Sequence, residues 1–226
     1  MANRSRGNRL RSLLTAPGIT IIVAPLLTPP EVPTFSAAGL VVTFHQVLIG
    51  VATGFALQII FDALSMGGQL LSNTMGLGFA FNVDPLRGAS TPVLGQLYML
   101  LVTLTFLALN GHLALIEALV QGLFSLPVGT TGLGSSAIWS LVAWGGQLFA
   151  GAVAVALPGM AALLVVNLGF GVMSRAAPTL NLFAVGFPIT LIFGLVIVWA
   201  GLPSVQATFI DSLEAAFGVL RSLTLP

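Results

Sequence analysis

The chain has 226 residues, of which 57% are hydrophobic and only 6% are charged, and its mean hydropathy is +1.06. A soluble domain carries about 25% charged residues, so this composition indicates an integral membrane protein. The net charge of +1 argues against nucleic-acid binding, which needs a basic face. The absence of cysteine excludes disulfides, thiolate metal sites and cysteine nucleophiles.

The apolar segments, taken in chain order, differ in length, and a membrane-spanning helix needs about 20 residues. The first follows a basic start. Pro17 and Gly18 interrupt it and no clear cleavage site follows, so we interpret it as a retained membrane segment and not as a signal peptide. The predicted segments are 12–27, 37–64, 91–109, 112–126, 138–173 and 180–202, and then a more mixed one at 205–223.

Helix-breaking residues divide these segments. Asn110 and Gly111 both tolerate the left-handed conformation that ends a helix. They predict an antiparallel helical hairpin with almost no loop. The segment 138–173 is too long for one straight helix, and Pro158-Gly159 predicts a bend or a division within it.

The C-terminal segment is more polar than the others. Asp211, Glu214 and Arg221 interrupt its apolar residues. They favour an interfacial or capping helix over residues 203–226. No internal repeat is strong enough to divide the chain, so we predict a single polytopic membrane domain over residues 1–226.

A polar stripe is predicted on the segment 37–64 and just beyond it. It consists of Gln58, Asp62, Ser65, Gln69 and Ser72, whose steps of 4, 3, 4 and 3 put them on one helical face. A carboxylate inside a membrane span is costly and normally faces protein or water. Two interpretations stay open. Either the stripe lines a pore or meets a partner subunit, or Asp62 lies at a helix end and is simply solvated.

Two further groups of residues have mainly structural interpretations. The spacing of Gly50 and Gly54 predicts close helix packing, either within the chain or between subunits. His45 and His112 lack convergent ligand partners, so we interpret both as packed or helix-start histidines. We therefore predict no metal, cofactor or catalytic residues.

The segment 69–85 lies between apolar runs, yet it is rich in Gly, Ser, Asn and Phe. Irregular backbone at membrane depth is tolerated only where it is buried in protein or lines an aqueous path. Phe79 and Phe81 stand among glycines, and large apolar side chains on pliant backbone favour a constriction of the kind that gates pores by dewetting. The alternative is that they anchor the loop to a neighbouring helix.

Several blocks of sequence form an ordered pattern from about residue 8 to the C-terminus. They are Gly67-Gly-Gln-Leu-Leu71, Met75-Gly-Leu-Gly-Phe-Ala80, Asp84-Pro85, Pro92-Val-Leu-Gly-Gln96, Phe106-Leu-Ala-Leu-Asn-Gly-His112, Leu126-Pro-Val-Gly129, Ser174-Arg-Ala-Ala-Pro-Thr-Leu-Asn-Leu-Phe183 and Gly186-Phe-Pro188. In order and spacing, these blocks resemble the FliR family of flagellar type III export-gate membrane proteins, whose counterparts serve injectisomes.

The resemblance implies an all-α membrane protein of stacked helical hairpins, similar to a fusion of the FliP and FliQ folds. It implies a non-enzymatic subunit, without cofactor, of the export gate that passes unfolded flagellar proteins across the bacterial inner membrane at the flagellar basal body. The implied partners are FliP-like, FliQ-like, FlhB-like and FlhA-like proteins, and the lipid membrane. An injectisome gate subunit and a stand-alone small transporter or channel are the alternatives.

In the FliR family, the loop after the Gly-Gln-Leu helix acts as a plug inside the closed pore. Carried over by position, this plug loop covers residues 76 to about 92. The resemblance assigns the plug to Gly76, Gly78, Phe79, Phe81, Asp84 and Pro85. Family members often carry a second aromatic residue where this chain has Asn82, so the role of Phe81 stays open.

The start of the chain also departs from the family pattern. Family members usually have a full hydrophobic helix before the turn that Asn8-Arg-Leu-Arg11 resembles, and this chain begins at that turn. The resemblance therefore implies that this first helix is missing. We expect a start codon that was placed too late, rather than a shortened copy of the protein.

Overall fold

A computed structural model describes most of the chain from residue 36 onward. The described residues are 21, 25, 33, 36–77, 93–126, 128–129, 132–176 and 182–224, with the backbone alone for 182–185 and 224. The regular elements within them are all helices: α1 Ala37–Thr74, α2 Val93–Ala108, α3 Gly111–Ser125, α4 Ser135–Trp144, α5 Gln147–Ala176 and α6 Leu182–Thr224. The all-α membrane class is therefore confirmed.

Within this part of the chain, three stretches are long and apolar enough to cross a membrane. They are α1, the stretch Ser135–Ala176 that joins α4 and α5, and Gly186–Leu223 of α6. The bent pair α2–α3 provides a fourth if it counts as one broken span. With 38 residues, α1 is about 57 Å long at 1.5 Å per residue. This is well beyond the roughly 30 Å hydrocarbon core, so α1 tilts or extends outside the bilayer.

Hydrogen bonds fix both ends of α1, from a side chain at its start and within the backbone at its end. At its start, the Ser36 hydroxyl oxygen accepts from the Gly39 N–H at 3.1 Å. At its end, Gly76 adopts a left-handed φ of 79°, which glycine does at little cost. The Gly76 N–H donates to the Asn73 carbonyl at 3.1 Å and the Leu77 N–H to the Ser72 carbonyl at 3.0 Å. This is the Schellman pattern, and it stops the helix at the start of the plug loop.

The hydrophobic core surrounds α1, which packs against α2, α5 and α6. Phe61 of α1 makes edge-to-face contacts with Phe106 of α2 and Phe209 of α6, with ring centroids 5.5 Å apart in each pair. This is a favourable aromatic geometry. Tyr98 of α2 is also completely enclosed. Phe61, Phe106 and Phe209 therefore join three helices at one level of the core.

The helices α1 and α2 run antiparallel. Gly68 lies against Leu94 and Gly95, at the start of α2, whereas Phe61 contacts Phe106 near its end. Moving back along α1 therefore means moving forward along α2. The two helices form a hairpin, and the predicted plug loop connects them.

The hairpin predicted at Asn110-Gly111 is wrong. Asn110 does adopt the left-handed conformation, with φ 54°, but α2 and α3 meet at a bend of 68° and not at a reversal. The Asn110 carbonyl already accepts from the N–H groups of Leu113 and Ala114, so α3 begins at once. A reversal needs a loop of about 2–5 residues, and no such loop separates α2 from α3.

Of the two outcomes predicted at Pro158-Gly159, the division is wrong, and a bend there stays a prediction. α5 continues through Pro158, and the break between α4 and α5 falls at Gly145-Gly146. Gly159 serves packing instead, because a β-carbon there would lie 2.6 Å from Leu71 Cδ2. Pro158 and Ala154, whose carbonyl loses its helical donor, are both exposed residues.

The C-terminal segment is not a separate helix. It is the second half of α6, a single helix of 43 residues that contains Pro188 and Pro203. One face joins the core through Val205, Phe209, Leu213, Ala216 and Leu220. The charged residues Asp211, Glu214 and Arg221 are exposed. The spacing of the buried residues is that of a helix with one apolar face, and the interfacial position of this segment stays a prediction.

Candidate functional site

The polar stripe lies inside α1, where its first two residues form a pair. Gln58 Nε2 donates to Asp62 Oδ1 at 2.9 Å, one turn along the helix. Gln58 is exposed and Asp62 is partly exposed. Since α1 continues to Thr74, the interpretation that Asp62 lies at a helix end is wrong. The carboxylate stays in the middle of an apolar helix and is partly open on the outside of the chain.

The next two residues of the stripe pack against α2. A β-carbon on Gly95 would lie 2.9 Å from Gln69 Cγ and 3.5 Å from Ser65 Oγ. In the other direction, a β-carbon on Gly68 would lie 2.6 Å from the Leu94 carbonyl oxygen. The two backbones approach this closely because each helix presents a glycine. Ser65 and Gln69 therefore meet a helix of the same chain, although both stay partly exposed, as Asp62 does, and Gln58 is the most open of the four.

Ser72, the last residue of the stripe, is fully buried, and its hydroxyl has no hydrogen-bond partner among the described residues. A buried polar group without a partner costs about 1–3 kcal/mol. Ser72 is also one turn before Gly76, and its carbonyl accepts from Leu77. The stripe thus ends in a polar group enclosed at the base of the plug loop.

Met75 is the last core residue before the plug loop. Its side chain is 1% exposed and lies directly on Gly194 of α6. A β-carbon on Gly194 would be 2.6 Å from Met75 Cγ and 2.7 Å from its Sδ, closer than carbon atoms approach without displacement. The loop therefore leaves the core from a point that α6 fixes.

Of the predicted plug residues, Gly76 lies in the part of the chain that the structure describes. Its left-handed conformation confirms that α1 ends there. The other plug residues lie outside the described residues, and their role stays a prediction: Gly78, Phe79, Phe81, Asp84 and Pro85.

The glycines predicted to pack, Gly50 and Gly54, are not the ones that contact other helices within the described residues. Gly50 and Gly54 face open space, with no atom within 4 Å of a β-carbon placed on either, so they make no helix contact among the described residues. By contrast, a β-carbon placed on Gly67 would lie 3.0 Å from the Ala152 carbonyl oxygen of α5. The sequence motif pointed to the first pair, whereas the intrachain contacts use adjacent Gly67 and Gly68.

Trp144 makes a contact that sequence reasoning missed. Its indole N–H donates to the Ala56 carbonyl of α1 at 2.9 Å, across 88 residues of sequence, and both groups are buried. The bond attaches the end of α4, just before the Gly145 break, to the central helix. A tryptophan in an apolar segment usually suggests a membrane interface, and no local signal identifies this one as a core donor.

The histidines and clefts show no convergent chemistry. His45 packs on Gly132, where a β-carbon would lie 2.5 Å from its Cδ2. No group of three or more His, Asp or Glu residues within the described ranges is placed to hold a metal ion. A cleft of about 440 Å³ between α3 and α6 includes Glu117, Gln121 and Glu214 in its lining, and Gln121 donates to Glu117 at 3.0 Å.

The described part of the chain is all-helical, with stretches apolar enough to cross a membrane and a glycine-packed hairpin, which defines an all-α membrane protein. The family model described as "Bacterial export proteins, family 1" matches residues 2–216, so the chain belongs to this family. Among the proteins that it is similar to are three named flagellar biosynthetic protein FliR. The one from Escherichia coli strain K12 is 40% identical over 185 residues, 82% of this chain and 71% of that protein.

The other two relatives match over a similar share of the chain. The Pectobacterium carotovorum protein is 38% identical over 200 residues, 88% of this chain and 76% of its own. The Aquifex aeolicus protein is 31% identical over 195 residues, 86% of this chain and 75% of its own. The assignment to the FliR family is confirmed, and it indicates a membrane-embedded subunit of the flagellar export apparatus. Family and relatives are named for export and flagellar biosynthesis, not for catalysis.

Proposed function

We propose that this chain helps form the pore through which unfolded flagellar proteins cross the bacterial inner membrane at the flagellar basal body. The observation that carries the proposal is the α1–α2 hairpin. Its connection is the plug loop, and the loop starts from a fixed point where Met75 packs on Gly194. A packed base followed by a connection whose sequence is rich in glycine and contains Phe79 and Phe81 suits an element that closes a passage.

We also propose that the chain works in a complex with FliP-like and FliQ-like subunits, together with FlhB-like and FlhA-like export components. The exposed Gln58–Asp62 pair supports this, since a carboxylate on an apolar helix normally faces protein or water. The open Gly50–Gly54 face supports it too, because small residues allow helices to approach closely. In this role the chain needs no cofactor and catalyses no reaction.

Within the complex, the plug loop at residues 76–92 closes the pore, with Phe79 as its principal apolar side chain. A stand-alone transporter fits less well, because such proteins pair broken helices in two similar halves. The sequence shows no such repeat.

Co-purification tests the proposal of a shared complex. The chain is expressed with a tag, beside the FliP-like and FliQ-like proteins of its own bacterium, and isolated in mild detergent. We expect both partners to be recovered with it in fixed ratio. As a matched pair of variants, Asp62→Asn and Asp211→Asn change one carboxylate each. We expect Asp62→Asn to reduce the recovery of the partners more than Asp211→Asn does. Asp62 lies on the apolar helix α1, where a partner is proposed to meet it, whereas Asp211 lies on the charged face of α6. A stable solitary oligomer, recovered without either partner, contradicts the proposal.

A further inference from the structure

One continuous face of α1 is left uncovered by the rest of the described chain. Its residues recur in steps of three or four, so they lie in one row along the helix. This open face consists of Phe44, Val47, Val51, Gly54, Gln58 and Asp62, all of them exposed and Asp62 partly so. Three large apolar side chains come first, then a glycine with no atom within 4 Å of a β-carbon placed on it. The polar pair comes last.

The polar end of the open face offers hydrogen-bond acceptors. Gln58 Nε2 donates to Asp62 Oδ1 at 2.9 Å. This bond uses neither Asp62 Oδ2 nor Gln58 Oε1, and both of these oxygens are acceptors. A carboxylate and a carboxamide oxygen side by side suit the N–H donors of a lysine or an arginine. The pair is therefore complementary, in charge and in hydrogen bonding, to a basic side chain.

Apolar side chains border this polar pair. Phe55, one turn before Gln58, is exposed, and so is Leu104 of α2. Leu104 lies two residues from Phe106, whose ring contacts the residue next to Asp62 in α1. A carboxylate in such surroundings normally faces protein or a water-filled cavity and pairs with an opposite charge.

The first of the two arginines in the described part of the chain lies far from this carboxylate. Arg175 is in the last turn of α5, whereas α5 passes the level of Asp62 at Gly151, which packs against Ala63. The 24 residues from Gly151 to Arg175 correspond to about 36 Å of helix at 1.5 Å per residue.

The second arginine is also too distant. Arg221 is in the last turn of α6, and α6 passes the same level at Phe209, whose ring contacts Phe61. The 12 residues between Phe209 and Arg221 correspond to about 18 Å of helix, which is beyond the reach of an arginine side chain. A basic group at Asp62 therefore has to come from outside the described residues.

We propose that a membrane helix of a partner subunit packs along the open face and brings a lysine or an arginine to Asp62. Gly54 lets the partner's backbone approach closely, and the charge pair then fixes which turn of the partner lies against α1. The inference rests on the proposed shared complex and adds the chemistry of the contact. Asp62 supplies the charge, and Gln58 is a positioning residue that holds the carboxylate.

Double-mutant cycles in the co-purified complex test the charge pair. Lysines and arginines in the membrane helices of the FliP-like and FliQ-like partners are neutralised one at a time, beside the intact chain or beside Asp62→Asn. We expect Asp62→Asn alone, and neutralisation of one partner residue alone, each to weaken the complex by more than about tenfold, because one buried charge is left unpaired. The two changes together are expected to be no worse than either alone, because neither charge then remains.

The readout is the amount of partner recovered per amount of chain that elutes as a folded species in detergent. Asp62→Glu keeps the charge and is expected to retain most of the recovery. Asp211→Asn neutralises an exposed carboxylate of α6 and is expected to leave recovery unchanged. The partner substitutions made beside the intact chain keep the test decisive even if Asp62→Asn does not fold.

Bulk on the open face tests the packing. Gly54→Leu is expected to lower the recovery of the partner and to leave the unfolding temperature of the isolated chain unchanged, because the new side chain meets no described atom within 4 Å of its β-carbon. Full recovery of the partner with Gly54→Leu overturns the proposal, since the face is then not covered.

Two results overturn the charge pair. Unchanged recovery with Asp62→Asn shows that the carboxylate meets water or lipid. Independent, additive effects for every partner residue show that its counter-charge comes from elsewhere, including the arginines of this chain at positions 4–11 and 87. Both results leave the shared complex standing as long as the intact chain recovers its partners. A solitary oligomer of the intact chain removes the proposed complex, and the contact with it.

Discussion

Single residues set the distances between the helices of this protein. Gly68 and Gly95 each lie so close to the backbone of a neighbouring helix that a side chain would force a shift, and Gly67, Gly159 and Gly194 also pack closely against neighbouring helices. One long-range hydrogen bond, from Trp144 to Ala56, adds a directional contact. Lipid tails are as apolar as the side chains they replace, so packing and hydrogen bonds hold membrane helices together. Both close packing and a hydrogen bond hold neighbouring helices against α1.

Trp144→Phe is a test of the directional contact. The substitution keeps an aromatic side chain but removes the N–H, and it leaves the Ala56 carbonyl without this donor. We expect the free energy of unfolding in detergent to fall by about 1 kcal/mol, the net value of a typical hydrogen bond. Trp199→Phe is the control, since Trp199 is 75% exposed, and its effect is expected to be negligible. Equal effects of the two substitutions would contradict the assignment.

At the level of single residues, the sequence correctly predicted which residues share a helical face, but it did not predict which groups they contact. The steps between Gln58, Asp62 and Ser65 placed them correctly on one face of a helix. The sequence did not show that Asp62 lies in mid-helix, because that depends on α1 continuing through Gly67-Gly68. Two adjacent glycines are unfavourable in an isolated helix. They remain helical here because α2 and α5 pack directly onto them.

At the scale of helices, the α1–α2 interface depends on close backbone approach. A β-carbon on Gly68 would lie 2.6 Å from the Leu94 carbonyl oxygen, which is backbone and has no rotamer through which to yield. Gly54 belongs to the same helix and has no atom within 4 Å of such a β-carbon. The two glycines therefore form a matched pair with opposite expected behaviour.

Gly68→Ala is expected to destabilise the protein by about 1–3 kcal/mol, the usual cost of overpacking. Gly54→Ala is expected to be neutral or to stabilise by up to about 1 kcal/mol, because alanine is the better helix former. Thermal unfolding of the two variants in the same detergent measures the difference. Loss of stability in Gly54→Ala of the size expected for Gly68→Ala would show that the open face is occupied.

The sequence predicted where helices exist better than where they break. Apolar length located the helical stretches of the described part but not their number, since the predicted segment 138–173 covers α4 and α5, and 180–202 and 205–223 both lie in α6. The breaks depended on tertiary contacts that no local pattern shows. Pro158 suggested a division, but the helix is interrupted at Gly145-Gly146 instead. This interruption directly follows Trp144, which donates the hydrogen bond to Ala56. Asn110 predicted a reversal, yet α3 starts too soon after it for more than a 68° bend.

At the scale of the whole molecule, the described helices form a body around α1, with wide apolar surfaces facing outward. Phe44, Val47 and Val51 on α1 are each at least 60% exposed. Such surfaces suit a membrane-embedded protein, in agreement with the chain's membership of the bacterial export family. In this body, the connection between α1 and α2 is the predicted plug.

The central claim is that the plug loop closes the export pore, and the permeability of the assembled gate tests it most directly. The gate is reconstituted in vesicles with this chain intact, with residues 76–83 shortened, or with Phe79→Ala. Phe124→Ala, on an exposed site of α3, is the control. We predict that the intact gate and the control retain a small trapped dye, and that both plug variants release it. Retention of the dye by the shortened variant in a fully assembled complex would contradict the claim.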